Sequence, residues 1–160
     1  MNNWNGKERR FNYNSRIRKL VFRAKKKYLE FFKNEYKYSD KEAIEELGLD
    51  AELIHQLLED YVSQVIKSSV QFKIMLDRFK IDEVDSFDLI EFHELAHKNL
   101  GVARNLRIKD AEKILYHMMK KDDLKYLEAC LIALEASAIL LKPECAFNTM
   151  KLIEAKNLLQ

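Results

Sequence analysis

Apolar residues return every three or four positions along most of the chain. Ile17, Leu20, Val21, Ala24, Tyr28 and Phe31 form a first stripe, with Arg16, Arg18, Lys19, Arg23, Lys25, Lys26 and Lys27 mostly outside it. That period belongs to a helix with one buried face. Residues 1–12 lack the period and are expected to form a loose leader. Ser39 followed three residues later by Glu42 is a capping-box signature, so a short helix opens there and ends at Gly48. Asp50 is placed to cap the next helix. In it Ile54, Leu58, Tyr61, Val65, Ser68, Phe72 and Met75 keep the alternating spacing of a bundle seam, predicting one long helix to near Phe79.

The acidic stretch Asp82 to Ser86 reads as a turn, with Asp85 or Ser86 capping a third long helix that carries Leu89, Phe92, Ala96, Asn99, Ala103 and Leu106 on one face. Asp110 and Asp122 are the expected caps of two more helices. Leu127, Leu131, Leu134 and Ala138 supply a last seam that Pro143 closes. Phe147, Met150, Ile153 and Leu158 mark a final amphipathic helix. The pattern predicts an all-α fold, a four-helix bundle with extra N-terminal and C-terminal helices. Residues 1–38 form the leader and a basic helix, 39–142 the bundle and 143–160 the last helix.

Composition narrows the choice in the same direction. With 3 Gly and 1 Pro in 160 residues, a turn-rich sandwich, a barrel or a Gly-looped nucleotide fold is disfavoured. The longest nearly apolar run, from Ala133 to Leu141, is interrupted by Glu135 and falls well short of the roughly 18 residues of a membrane span. No membrane or signal segment is expected. Cys130 and Cys145 lack a CxxC spacing, which fits buried thiols and a cytoplasmic location.

Charge is unevenly spread. Residues 1–37 hold 12 Lys/Arg against 3 Asp/Glu, and residues 38–160 hold 16 against 23. The basic arm is expected to pack on the acidic bundle, its own or that of a second copy in a homodimer, because its apolar stripe needs cover. Binding of nucleic acid or of a membrane by the arm is the less favoured outcome.

Four histidines carry the candidate chemistry. His93-Glu94-Leu95-Ala96-His97 is a literal HExxH string, in which two imidazoles one turn apart could bind zinc while Glu94 activates water in a metallopeptidase. Its neighbours Glu91 and Lys98 are charged, no upstream strand pattern offers a substrate edge, and nothing selects Glu128 or Glu135 as third ligand. The ExxH pairs Glu52/His55 and Glu94/His97 have the spacing of di-iron bundles, but Glu52 and His55 fall beside the apolar seam. At about 100° per residue, His97 lies roughly 130° from the stripe through Ala96 and Asn99 and faces solvent mid-helix. His93, Glu94, Leu100, Gly101 and Arg104 are read as sharing that face. A glycine inside a helix costs about 1 kcal/mol relative to alanine, so Gly101, one turn from an exposed His, points to room kept for an approaching partner.

The stretch Ala96 to Ile108 resembles the signature of histidine-containing phosphotransfer (HPt) domains, in which Ala-His is followed by x-Leu-Lys-Gly and then Ala and Leu. His97, Gly101, Ala103 and Leu106 match. Asn99 stands at the usual Leu, Leu100 at the usual Lys and Arg107 at the usual Gly. The segments Leu47 to Val65 and Lys120 to Ala138 look like the family's second and last helices, so the resemblance covers residues 40–142.

The resemblance implies a phosphorelay carrier rather than an enzyme. His97 would accept a phosphoryl group from a receiver-domain aspartate and pass it on, and Gly101 would keep access open. Arg104 or Lys98 would stand in for the missing Lys, and His93, Glu94 and Leu100 would meet the partner. It also implies no cofactor of the chain's own, with Mg2+ on the receiver, and as partners a response-regulator receiver domain or a hybrid sensor kinase. An HPt-like scaffold that is never phosphorylated is the other reading of the same resemblance.

Overall fold

The computed structural model describes the backbone of residues 3–81 and 86–159 and the side chains of residues 13–81 and 89–158. Among these residues there are seven helices and no strand: α1 (Asn3–Phe31), α2 (Asp40–Leu47), α3 (Ala51–Ile81), α4 (Ser86–Asn105), α5 (Lys109–Lys120), α6 (Leu124–Leu141) and α7 (Pro143–Leu159). The all-α expectation holds. No described helix is long and apolar enough to cross a membrane.

Several helix ends follow from short-range chemistry. Ser39 Oγ accepts the Glu42 amide at 3.1 Å, and Gly48 closes α2 in the left-handed region at φ 66°. The Glu42 carboxylate does not return to the cap as in a full capping box; it accepts from Lys109 Nζ at 3.0 Å. Asp50 Oδ1 accepts the Leu53 amide at 2.8 Å at the start of α3. The expected caps at Asp85 and Ser86 lie outside the described side chains.

Three expectations are corrected. Residues 3–12 are helical rather than a loose leader. A helix already held at Ala24 and Tyr28 extends at little cost per residue, and Tyr13 is pinned by its hydroxyl donating to Asn148 Oδ1 at 2.7 Å. Asp110 is not the α5 cap: Ile108 occupies that position, and Asp110 lies inside the helix, where it accepts from the Tyr28 hydroxyl at 2.9 Å. Burial raises the Asp110 carboxyl above its ordinary range against the pull of that bond. Asp123, not Asp122, caps α6, accepting the Lys125 amide at 3.1 Å.

Packing places α4 between two neighbours. Helices α3, α4, α5 and α6 each touch the next, and α6 returns to α3. The three-residue connections 106–108 and 121–123 make those neighbours antiparallel. Phe72 of α3 meets Phe92 of α4 at 4.8 Å between ring centres, and both are fully buried with Tyr61, Leu127 and Leu134. Each such side chain contributes about 1.5–3 kcal/mol. Helix α1 lies on α6 and α7 with Ala24 and Tyr28 buried, so the basic arm packs on its own bundle. Helix α7 covers α3 and α6.

The turn from α4 to α5 has a specific build. The Ile108 amide bonds Ala103 O at 2.9 Å and the Arg107 amide bonds Arg104 O at 3.1 Å, a Schellman pair that requires Arg107 to adopt φ 63°. A side chain in that region costs roughly 1–2 kcal/mol. The cost is offset by Arg107 Nε donating to Glu46 at 2.7 Å and Nη1 to Arg104 O at 3.0 Å. From the α1–α2 connection, Tyr38 donates to Leu106 O at 2.7 Å and Tyr36 to Arg107 O at 3.3 Å. The strap after α1 therefore holds the end of α4.

Candidate functional site

The buried arc of α4 runs through Phe92, Ala96, Asn99, Leu100 and Ala103, and Leu106 just past its end is buried too. Asn99 is the polar member. Its amide nitrogen donates to Ser68 Oγ at 3.1 Å and to Leu95 O at 2.9 Å, so burial leaves it satisfied and ties α4 to α3. Leu100 is 2% exposed, which corrects the expectation that it shares the open face with His97. The physical reason is that α4 is flanked by α5 as well as α3, so the arc it buries is wider than the seam through Ala96 and Asn99.

His97 lies roughly 60° around the helix beyond Leu100 and is exposed. Among the described residues it has no hydrogen-bond or ion-pair partner, unlike His93. The Nε2 of His93 is 3.0 Å from Lys121 O and 3.6 Å from Asp122 Oδ1. A carbonyl only accepts, so that nitrogen carries a proton and has no lone pair to give a metal while the bond stands. The two histidines of the HExxH string thus do different things: one fastens the α5–α6 turn and the other is open.

The metal readings find no further ligands. Among the described residues no group of three or more His, Cys, Asp or Glu side chains gathers to hold an ion. Glu52 is exposed, and His55 Nδ1 is 2.8 Å from Lys142 Nζ. His117 Nδ1 is 2.6 Å from the Tyr126 hydroxyl.

Around His97 the remaining residues divide by side. Gly101 is exposed, and a Cβ built there would meet nothing within 4 Å. Glu94 is exposed on the same face. Arg104 points along the α5 flank and donates through Nε to Glu112 at 3.0 Å. Lys98 lines a groove between α3 and α4 with Gln64, Lys67 and Gln71, on the other flank. The imidazole stands one turn from an open glycine, and Arg104, two turns on, is already paired.

Two residues that the periodicity did not single out complete the face. Ile90, seven before His97, is 52% exposed, an apolar side chain on the polar side of α4. Tyr116 is 47% exposed on α5. The pairs His93/Lys121 and Arg104/Glu112 set the α4–α5 register, and Tyr116 falls midway between them, opposite the His97 to Gly101 turn. Ile90 was visible as an apolar residue out of phase. Tyr116 required the register.

No protein-family model, no curated protein and no solved structure matches the chain.

Proposed function

We propose that the chain is a histidine phosphotransfer protein, built on an HPt-like four-helix bundle of α3 to α6, in which His97 carries a phosphoryl group between receiver-domain aspartates. The observation that carries this reading is an exposed imidazole, unpartnered among the described residues, in the middle of a long helix and one turn from a glycine with open space over it. Arg107 adds independent support: it stands where the resembled signature has Gly, and its backbone adopts the φ 63° for which Gly is suited.

In this reading the Nε2 lone pair of His97 attacks the phosphorus of an aspartyl phosphate. The P–N bond forms as the P–O bond to the aspartate breaks, and the aspartate leaves as a carboxylate. A second receiver's aspartate reverses the step and regenerates the ring. The receiver supplies Mg2+ and most of the charge stabilisation, and the carrier supplies position. Ile90 and Tyr116, both exposed, would add apolar contact area to the docking face. A receiver domain, free or in a hybrid sensor kinase, is the partner, and the cytoplasm is the compartment such a partner implies.

The pairing of Arg104 with Glu112 and the burial of Leu100 favour one second reading, a scaffold with the same docking face that is never phosphorylated. The two separate in one experiment. Receivers charged with acetyl phosphate are mixed with the chain, and label on the chain is tested for the acid lability and alkali stability of a phosphoramidate. Transfer supports the carrier. Stable complex formation with charged receivers and no label supports the scaffold.

A further inference from the structure

We infer that the outer face of α1 docks the protein peripherally on an anionic lipid surface. Among the described residues packing uses one side of this helix: Ala24 and Tyr28 are buried, and Leu20, Val21 and Phe31 pack against the core. The opposite side carries Arg18, Lys19, Phe22, Lys26 and Leu29, which fall within about 100° of arc on a helix about 44 Å long. All five are exposed. Phe22 is 65% exposed and Leu29 39%, one on each side of the Lys26 position. Lys26 Nζ sits 5.6 Å from the centre of the Phe22 ring.

Exposed cations alone are an ordinary solvated face. The informative feature is the aromatic and the leucine set among them, because leaving Phe22 in water is unfavourable and among the described residues it stays 65% exposed. An anionic bilayer satisfies both components: headgroups meet the cations while the ring and the leucine enter the acyl boundary. These residues share one side of a single helix, as docking on a surface requires. The rest of the chain adds orientation. Residues 38–160 carry 16 Lys/Arg against 23 Asp/Glu, so an anionic surface attracts α1 and repels the body behind it.

The test uses the full chain and sedimentation with vesicles of phosphatidylcholine alone or of equal parts phosphatidylcholine and phosphatidylglycerol. Binding is expected only to the anionic vesicles and is expected to weaken with salt. Replacing Arg18, Lys19 and Lys26 by Glu together should lower partitioning by at least about 100-fold. Phe22→Ser, which leaves the charge unchanged, should lower it by about 5-fold or more. A Phe22→Trp variant in a Trp4→Phe background should show a blue shift of its emission on the anionic vesicles. Absence of binding, Phe22→Ser binding as well as the native chain, an unshifted emission, or tighter capture of a short DNA duplex than of vesicles at equal phosphate concentration would overturn the inference.

Discussion

Arg104 reaches across from α4 to α5 and donates through Nε to Glu112 at 3.0 Å, so the cation two turns beyond His97 is already committed. The pair is partly exposed and contributes less than about 1 kcal/mol to stability. Its consequence is for charge around His97: in the proposed function a phosphoryl group there would compete with Glu112 for that guanidinium.

Glu112→Gln should therefore release Arg104 and lengthen the lifetime of phosphorylated His97, or speed its formation, with little change in melting temperature. Arg104→Ala should impair transfer more than Lys98→Ala, because Lys98 lies on the α3 flank. Equal effects of the two alanine variants in single-turnover transfer would show that Arg104 has no part.

Substitution at Gly101 separates stability from access. With nothing within 4 Å of a Cβ there, Gly101→Ala should stabilise the helix by up to about 1 kcal/mol in denaturant titration. Gly101→Gln should fold and nearly abolish transfer, since its side chain enters the approach to His97. Unimpaired transfer by the Gln variant would remove the docking geometry.

Leu100 is where the resemblance and the packing disagree. Restoring the signature's Lys would place an ammonium at a position 2% exposed, and Leu100→Lys should lower stability by more than about 3 kcal/mol rather than improve transfer. A native-like melt for this variant would mean that α4 is rotated from the arrangement described.

Arg107→Gly tests the turn. Glycine removes the left-handed penalty of roughly 1–2 kcal/mol but forfeits the Glu46 pair and the carbonyl bonds. A net gain of about 0.5–1 kcal/mol in chemical denaturation is expected. Loss of stability would show that the contacts of Arg107 outweigh its backbone strain.

The parts of this fold readable in the sequence are those set by neighbours in the chain. Ser39, Gly48 and Asp50 act on amides and carbonyls within a turn of themselves, and the stripes of α3 and α4 record a single period. What escaped depends on distant partners. Choosing Asp123 over Asp122 turns on where the α5–α6 connection closes and on His93 lying 3.6 Å from Asp122. The burial of Leu100 follows from a second neighbour of α4, and the pairing of Arg104 with Glu112 from the register between two helices. The exposure of His97 and the open space at Gly101 were legible because exposure and a missing side chain both leave a mark in the pattern. The charge around them was not.

The most direct measurement of the central claim compares the native chain with His97→Gln and His93→Gln as acceptors from a phosphorylated receiver, after circular dichroism has shown that all three are folded. The account predicts acid-labile label on the native chain and on His93→Gln, and none on His97→Gln. Label persisting on His97→Gln, or lost equally from both variants, would contradict it.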